Sequence, residues 1–402
     1  MLTTKKASKA IAESMMTFKA VDVALADAAG RILRQSIKAE RDQPPFDRVM
    51  MDGIAVDYAS LSNGARQFII QATQAAGDPV QSLQDSGHCI EIMTGAVMPK
   101  NTDCVIPVER IDVKGNIAEV EADYTAAQNQ FIHPRGSDHR KGVEVLVAGT
   151  MISPMDIAII ASCGLETVSV SQRPLLSVIS TGNELVPPGQ PIEDHQVRLS
   201  NGPALIAMLQ GQGFDRCTHD HLVDERQLLE KSLAAHLDQS DVMILSGGVS
   251  MGKADYVPQV LADLGVSLIF HKISQRPGLP MWFGIGPKNQ AVFALPGNPV
   301  STLICCRQYV LPALFLASGR PARGKETALL SEDVTFNPSL TCFLPVRLEG
   351  SSDGKLLAQP APTNTSGDFA SLSGTDGYIE LDKETDKFPK GSAVSLHRWS
   401  TP

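Results

Sequence analysis

The residues best suited to chemistry in this chain are glycine-bearing turns and acids that each follow a short apolar run. Residues 241–245 form one such run. It opens into Ser246-Gly247-Gly248-Val249-Ser250-Met251-Gly252, with Asp255 close behind. Glycines at the carboxyl end of a buried strand let the backbone turn sharply, and successive N–H groups in such a turn can face an anion. A second turn, Pro296-Gly297-Asn298-Pro299-Val300-Ser301, leads from the run at 291–295 into a helix, whose first amides suit the same charge. A third, Ser180-Thr181-Gly182-Asn183-Glu184, adds an acid able to hold a cation. Asp224 opens a helical stretch, where N-capping is its competing duty. The spacing matches neither G-x-G-x-x-G nor G-x-x-x-x-G-K-[ST]. Two glycine loops for phosphate, with acids for Mg2+, suit a phosphorylated or nucleotide-like ligand.

Such turns need a sheet edge to gather them. From residue 175 the text alternates strand and helix. Strands are expected at 175–180, 242–245, 266–271 and 291–295, and helices at about 201–213, 224–237, 256–264 and after Pro299. That alternation predicts a mainly parallel sheet covered on both faces, with ligands at the carboxyl ends of its strands. Upstream, residues 3–16 read as an amphipathic helix, 23–29 as a second short helix and 31–37 as a strand. Residues 42–139 are strand-rich and broken by Gly, Pro and Asn, which predicts a small β-rich domain. A strand, a helix from near Pro154 and another strand fill 145–170. After about residue 322 helical periodicity gives way to strands at 341–348, 377–381 and 393–397.

Composition narrows the classes. A chain of 402 residues calls for two to four domains, and 43% apolar with 20% charged residues is that of a soluble globular protein. The net charge of −9 argues against a nucleic-acid partner, and no run of about 18 apolar residues predicts a membrane span. Seven scattered cysteines without a C-x-x-C pair predict reduced, buried thiols in a cytoplasmic protein. His219-Asp220-His221 reads as a polar loop near a strand end, since no third metal ligand with recognisable spacing accompanies it.

The segment Pro44-Pro45-Phe46-Asp47-Arg48-Val49-Met50-Met51-Asp52-Gly53-Ile54-Ala55-Val56 resembles the P-P-F-D-x-x-x-M-D-G-x-A-V signature of the molybdopterin molybdenumtransferases, the MoeA family that includes the gephyrin E domain. Ile92-Met93-Thr94-Gly95-Ala96, residues 103–109 and 180–185, the loop 246–256 and residues 295–301 resemble the same family, in its order along nearly the whole chain. The resemblance implies an α/β multidomain subunit with a three-layer α/β/α molybdopterin-binding domain. It implies a linker domain from 1–41 and 140–171, an inserted β-rich domain at 42–139, the α/β domain at 172–322 and a C-terminal β domain at 323–402. It further implies a homodimer that joins molybdate to adenylated molybdopterin, releases AMP and uses Mg2+, with possible contact to the molybdopterin adenylyltransferase.

By the same resemblance, Asp52 and Thr94 would reach the active site from the second subunit's inserted domain, with Asp138 near them. Glu184, Asp224 and Asp255 would hold the metal at the α/β edge. Ser180, Thr181, Gly182, Ser246, Gly247, Gly248, Ser250, Gly252, Pro296, Gly297, Asn298, Pro299 and Ser301 would cradle the pterin phosphate and adenylate. One departure stands out. Where the family carries Lys-Pro-Gly-Lys-Pro, this chain has Arg276-Pro277-Gly278-Leu279-Pro280. Arg276 keeps a charge, but Leu279 replaces a lysine implicated in handling molybdate. Lys253, Lys272 and Arg48 are candidate substitutes, and Arg48, beside Asp52, is the preferred one. A scaffold that keeps the pterin pocket without insertion is the alternative reading, and the adenylyltransferase step itself a weaker one.

Overall fold

A computed structural model describes residues 1–249, 256–322, 324–336 and 339–400. The chain divides into two compact units, residues 1–35 with 148–153 and 167–402, and residues 36–147 with 154–166.

The larger unit is organised on a six-stranded sheet in the order Cys217–Leu222, Leu176–Thr181, Val242–Ser246, Ala291–Leu295, Trp282–Ile285, Ser267–His271. The first four strands are parallel; Trp282–Ile285 is antiparallel to both its neighbours, so Ser267–His271 again runs with the first four. Strand periodicity explains why the central strands read as unbroken apolar runs. Val178, Ile244 and Phe293 face one buried cluster, while Ile179, Met243, Leu245 and Val292 face another. Leu205 and Leu209 of the helix Asn201–Gln210 pack on the first face. Leu229, Leu233 and Leu237 of Arg226–Gln239 pack on the second, with Val257, Val260 and Leu261 of Val257–Asp263. The result is the expected α/β/α sandwich. The helical run Pro299–Ala317 is long and apolar enough by composition to cross a bilayer, yet 67% of its most apolar window is buried inside the protein, as in a core helix.

In the same unit Thr341–Gly350, Leu356–Pro360, Glu326–Leu330, Ala393–Arg398 and Gly377–Leu381 form a β-sheet, which a pairing between its first and last strands closes on itself. The short strand Gln275–Arg276 joins it in parallel, with Arg276 opposite Cys342. The smaller unit carries a six-stranded sheet in the order Cys104–Pro107, Gly53–Val56, His88–Ile92, Gln67–Gln74, Ile117–Val120, Ile111–Lys114. Alternation again splits its residues, Ile54 and Val56 to one cluster and Ala55 to the other.

Three local expectations need correction. Residues 31–37 are not one strand: Ile32 and Leu33 make isolated bridges, and only Ile37 enters a strand, Ile37–Lys38. Residues 23–29 are not a helix. Ala20–Ala24 is a strand paired with Thr167–Ser171, and only one 3-10 turn, Leu25–Asp27, follows. Valines at alternate positions, 21 and 23, fit a strand that the helix reading overlooked. His219-Asp220-His221 is not a loop either, but the interior of the edge strand Cys217–Leu222. At a sheet edge one side of a strand can stay polar, and this hides the strand from a search for apolar runs. All seven cysteines are free thiols, six of them buried.

Candidate functional site

The parallel sheet places the predicted turns side by side. Ser180 is in register with Ser246, and Ser246 with Leu295, so three adjacent strands end level and their loops leave together. Numbered along the chain, the sheet runs second, first, third, sixth, fifth, fourth strand, and the connections diverge between Leu176–Thr181 and Val242–Ser246. That is the topological switch point at which open α/β sheets bind ligands.

The loops there touch. The N–H of Gly247 donates to the Leu295 carbonyl at 3.2 Å, and a Cβ on Gly297 would stand 3.6 Å from the Gly247 Cα. A Cβ on Gly247 itself would come within 2.6 Å of the Thr181 carbonyl oxygen, so all three turns fit only because glycine stands there. The N–H groups of Gly248 and Gly297 find no acceptor among the described residues, nor does the Thr181 hydroxyl, although Thr181 is only 4% exposed. Unsatisfied donors at a sheet edge are what an anion requires.

Three residues that carry this edge were not foreseen. Asn201 Nδ2 donates to the Ser246 hydroxyl at 2.8 Å and to the Gly297 carbonyl at 2.7 Å, which clamps the Ser246 loop to the Pro296 turn. His221 Nε2 lies 2.8 Å from the Gly182 carbonyl, and His219 Nε2 lies 3.1 Å from the Ser180 hydroxyl, so both imidazoles brace the Ser180–Glu184 turn. Burial lowers the His219 pKa and keeps that ring neutral. The two-residue spacing of these histidines was the available signal, because residues i and i+2 of a strand share a face.

The acids divide. The Glu184 carboxylate folds over Gly182, within 2.8 Å of where a Cβ would stand. Asp224 does not N-cap its helix, which starts at Arg226 with Glu225 in the cap position; instead its N–H donates to the Asn183 side chain at 2.9 Å. Glu184 and Asp224 thus lie on touching loops. Ser250, Gly252 and Asp255, with Lys253, fall outside the described residues. Among the described residues no group of three metal-type ligands is assembled.

Beside these loops lies a cleft of about 690 Å3 lined by Arg276, Leu279, Pro296, Asn298 and Ser301, and also by residues 332–336 and 362–366, which flank strands of the C-terminal sheet. Asn298 Nδ2 donates to the Ser366 hydroxyl at 2.7 Å. The C-terminal domain therefore forms one wall of this cleft, which the sequence reading had not assigned to it. Gln275, fully buried, fixes the Arg276 turn: its amide donates to the Pro277 carbonyl at 3.0 Å, and the Tyr309 hydroxyl donates to its oxygen. Burial pushes the Tyr309 pKa far up, so the phenol remains a donor. Among the lining residues described, Arg276 is the one cation, against the acids Glu332 and Asp333. A second cleft, of about 530 Å3 against the N-terminal helix, contains none of the motif residues.

Asp52, Thr94 and Asp138 belong to the smaller unit. The Thr94 hydroxyl and N–H both donate to Asp52 Oδ1, each at 2.6 Å, and this pair of bonds holds the carboxyl below the usual carboxylate range. Gly53 follows because a Cβ there would overlap the Ile106 carbonyl oxygen at 1.9 Å. Asp138 Oδ1 is 2.9 Å from His133 Nε2.

Comparison with known proteins agrees with this geometry. Residues 2–164 match the MoeA N-terminal region (domain I and II), residues 177–315 a probable molybdopterin binding domain, and residues 327–399 the MoeA C-terminal region (domain IV). A molybdopterin molybdenumtransferase of Synechocystis sp. is 38% identical over 92% of this chain and 93% of its own length. One of Synechococcus elongatus is 33% identical over 84% and 85%. A crystal structure of a molybdopterin biosynthesis MoeA protein from Pyrococcus horikosii has a TM-score of 0.83 at 28% identity, with all of both chains covered. With three family regions in order and a relative this similar over nine-tenths of its length, the chain belongs to the MoeA family of molybdopterin molybdenumtransferases.

Proposed function

We propose that this chain joins molybdate to adenylated molybdopterin and releases AMP, giving molybdenum cofactor. The observation that carries the reading is the cluster of glycine turns at the switch point, with unsatisfied N–H groups, opening beside the Arg276 cleft. Molybdate is a dianion, and it must approach a pterin whose dithiolene and phosphates are also anionic. In a cleft of low dielectric that repulsion is severe unless oriented amides and cations oppose it.

Ser180, Thr181, Gly182, Ser246, Gly247, Gly248, Pro296, Gly297, Asn298, Pro299 and Ser301 hold the pterin nucleotide in this reading, and Ser250 and Gly252, outside the described residues, are assigned the same role. Glu184 and Asp224, with Asp255, are the carboxylates that would hold Mg2+; the ion is usually bound by one or two carboxylates together with phosphate oxygens and water, which the first two fit. When bound, it neutralises charge on the pyrophosphate that is cleaved. Arg276 takes the oxyanion in the cleft. Asp52, Thr94 and Asp138 act from the second subunit of a homodimer, in a chain divided into linker (1–41 and 140–171), inserted (42–139), α/β (172–322) and C-terminal (323–402) domains. The free thiols support a reducing, cytoplasmic setting. Contact with the adenylyltransferase that makes the substrate belongs to the same proposal.

Molybdenum retained on the dithiolene after incubation of purified protein with molybdate, adenylated molybdopterin and Mg2+ tests the function. Incorporation is expected, and bound pterin that never gains molybdenum would overturn it. Leu279 favours a second reading, a scaffold with weak insertion. Leu279→Lys separates the two. As the cleft has one described cation and two acids, the added charge is expected to lower the KM for molybdate about tenfold, with kcat kept. A variant that gains activity from a near-inactive parent would instead support the scaffold.

A further inference from the structure

Arg48 and His133 are cross-strand partners where the short strands Arg48–Val49 and Ile132–His133 pair antiparallel. Arg48 Nη2 lies 3.0 Å from His133 Nδ1, and His133 Nε2 lies 2.9 Å from Asp138 Oδ1. A guanidinium only donates, so Nδ1 must be bare; Nε2 then carries the hydrogen and donates to the carboxylate. Arg48 and Asp138 together therefore select a single neutral tautomer of the ring.

The backbone that follows the histidine is held at two points. Arg135 Nε pairs with Asp42 at 2.7 Å, its N–H donates to Asp47 at 2.8 Å, and the Asp138 N–H donates to the Gln43 carbonyl at 2.9 Å. Arg48 itself is exposed, and a free arginine side chain on the surface would lose much rotamer freedom on taking up an oxyanion. Held by Nδ1, it has lost part of that freedom in advance, which is how preorganisation raises affinity.

We propose that His133 is a positioning residue that aims Arg48 at the molybdate oxyanion and ties it to Asp138. The inference rests on the reading of Arg48 as the cation that offsets Leu279. It goes beyond that reading because it assigns the offset to a three-residue line, not to one charge.

Two amide substitutions separate the two ring nitrogens. In His133→Asn the amide oxygen can take the place of Nδ1 and still accept from Arg48. In His133→Gln the longer amide can reach the place of Nε2 and donate to Asp138, but offers Arg48 no acceptor there. Steady-state kinetics with molybdate varied at saturating adenylated molybdopterin reads the difference. His133→Asn is expected within about twofold of wild type in KM for molybdate, while His133→Gln and His133→Ala raise it about fivefold with kcat and Tm unchanged. Arg48→Ala is expected to raise it about tenfold, with no further rise when His133→Ala is added. If Arg48→Ala raises KM but the three His133 variants match wild type, or Asn and Gln fall together, the positioning role is overturned and the Arg48 reading stands. If Arg48→Ala leaves KM unchanged, the Arg48 reading fails and the inference with it. An altered Tm in His133→Ala leaves the Asn and Gln comparison to decide.

Discussion

Gly247→Ala is expected to abolish tight binding of adenylated molybdopterin and to cost about 3 kcal/mol of stability. The residue has φ +101°, a region that L side chains rarely adopt, and its Cβ would stand 2.6 Å from the Thr181 carbonyl and 2.9 Å from the Thr181 hydroxyl. Both atoms belong to the last residue of the neighbouring strand, and the carbonyl is backbone, so relief requires moving that strand end and the turn it leads into. That movement would take the Gly248 and Gly297 amides out of line with the phosphates. Gly115→Ala is the comparison. It has φ +65° in a hairpin and nothing within 4 Å of its Cβ, so only the conformational cost, about 1 kcal/mol, is expected. Thermal denaturation and equilibrium binding of adenylated molybdopterin measure both variants. Equal losses would mean that the loop contact carries nothing.

Asp52→Asn is expected to lower kcat about a hundredfold while Tm and pterin affinity hold. The two donors from Thr94 converge on one oxygen of Asp52, and an amide oxygen can accept both, so the local fold survives the change. What disappears is the charge. Those bonds hold the Asp52 pKa low, which makes it a poor proton acceptor near neutrality and a persistent negative charge, suited to fixing a cation against an anionic substrate. The sign can be followed with pH. A depressed carboxylate keeps its charge as pH falls through the ordinary carboxylate range and loses it only below. In Thr94→Val the hydroxyl donor, the larger cause of the depression, is gone, so the acid limb of the kcat profile should shift upward. An unmoved limb in Thr94→Val would exclude Asp52 as the charge that matters.

Strand runs and helix periods were legible wherever both faces are buried. Residues 242–246 and 291–295 read as apolar because each alternate residue meets a helix layer, one on either side. The turns after them were legible because glycine is required where loops abut. The edge strand Cys217–Leu222 was not, since its outer residues are polar and its histidines serve the next loop. Asn201 was hidden for a similar reason. Next to Ser200 at a helix start it resembles a capping residue, and nothing local announces that it reaches across 96 positions to Gly297. The wall that the C-terminal sheet gives the Arg276 cleft, with Ser366 bonded to Asn298, is long-range in the same way. His133 escaped because its meaning lies in the cross-strand register with Arg48, and two-residue strands leave no periodicity to read.

The central claim is that the glycine edge holds the adenylated pterin while molybdate drives release of its AMP. Rapid-quench measurement of AMP, from purified protein preloaded with adenylated molybdopterin in Mg2+ buffer, tests it most directly. The account predicts little AMP without molybdate, one equivalent per bound pterin when molybdate is added, and slow release in Asp52→Asn at unchanged loading. AMP release at the same rate with and without molybdate, or none from fully loaded protein, would contradict it.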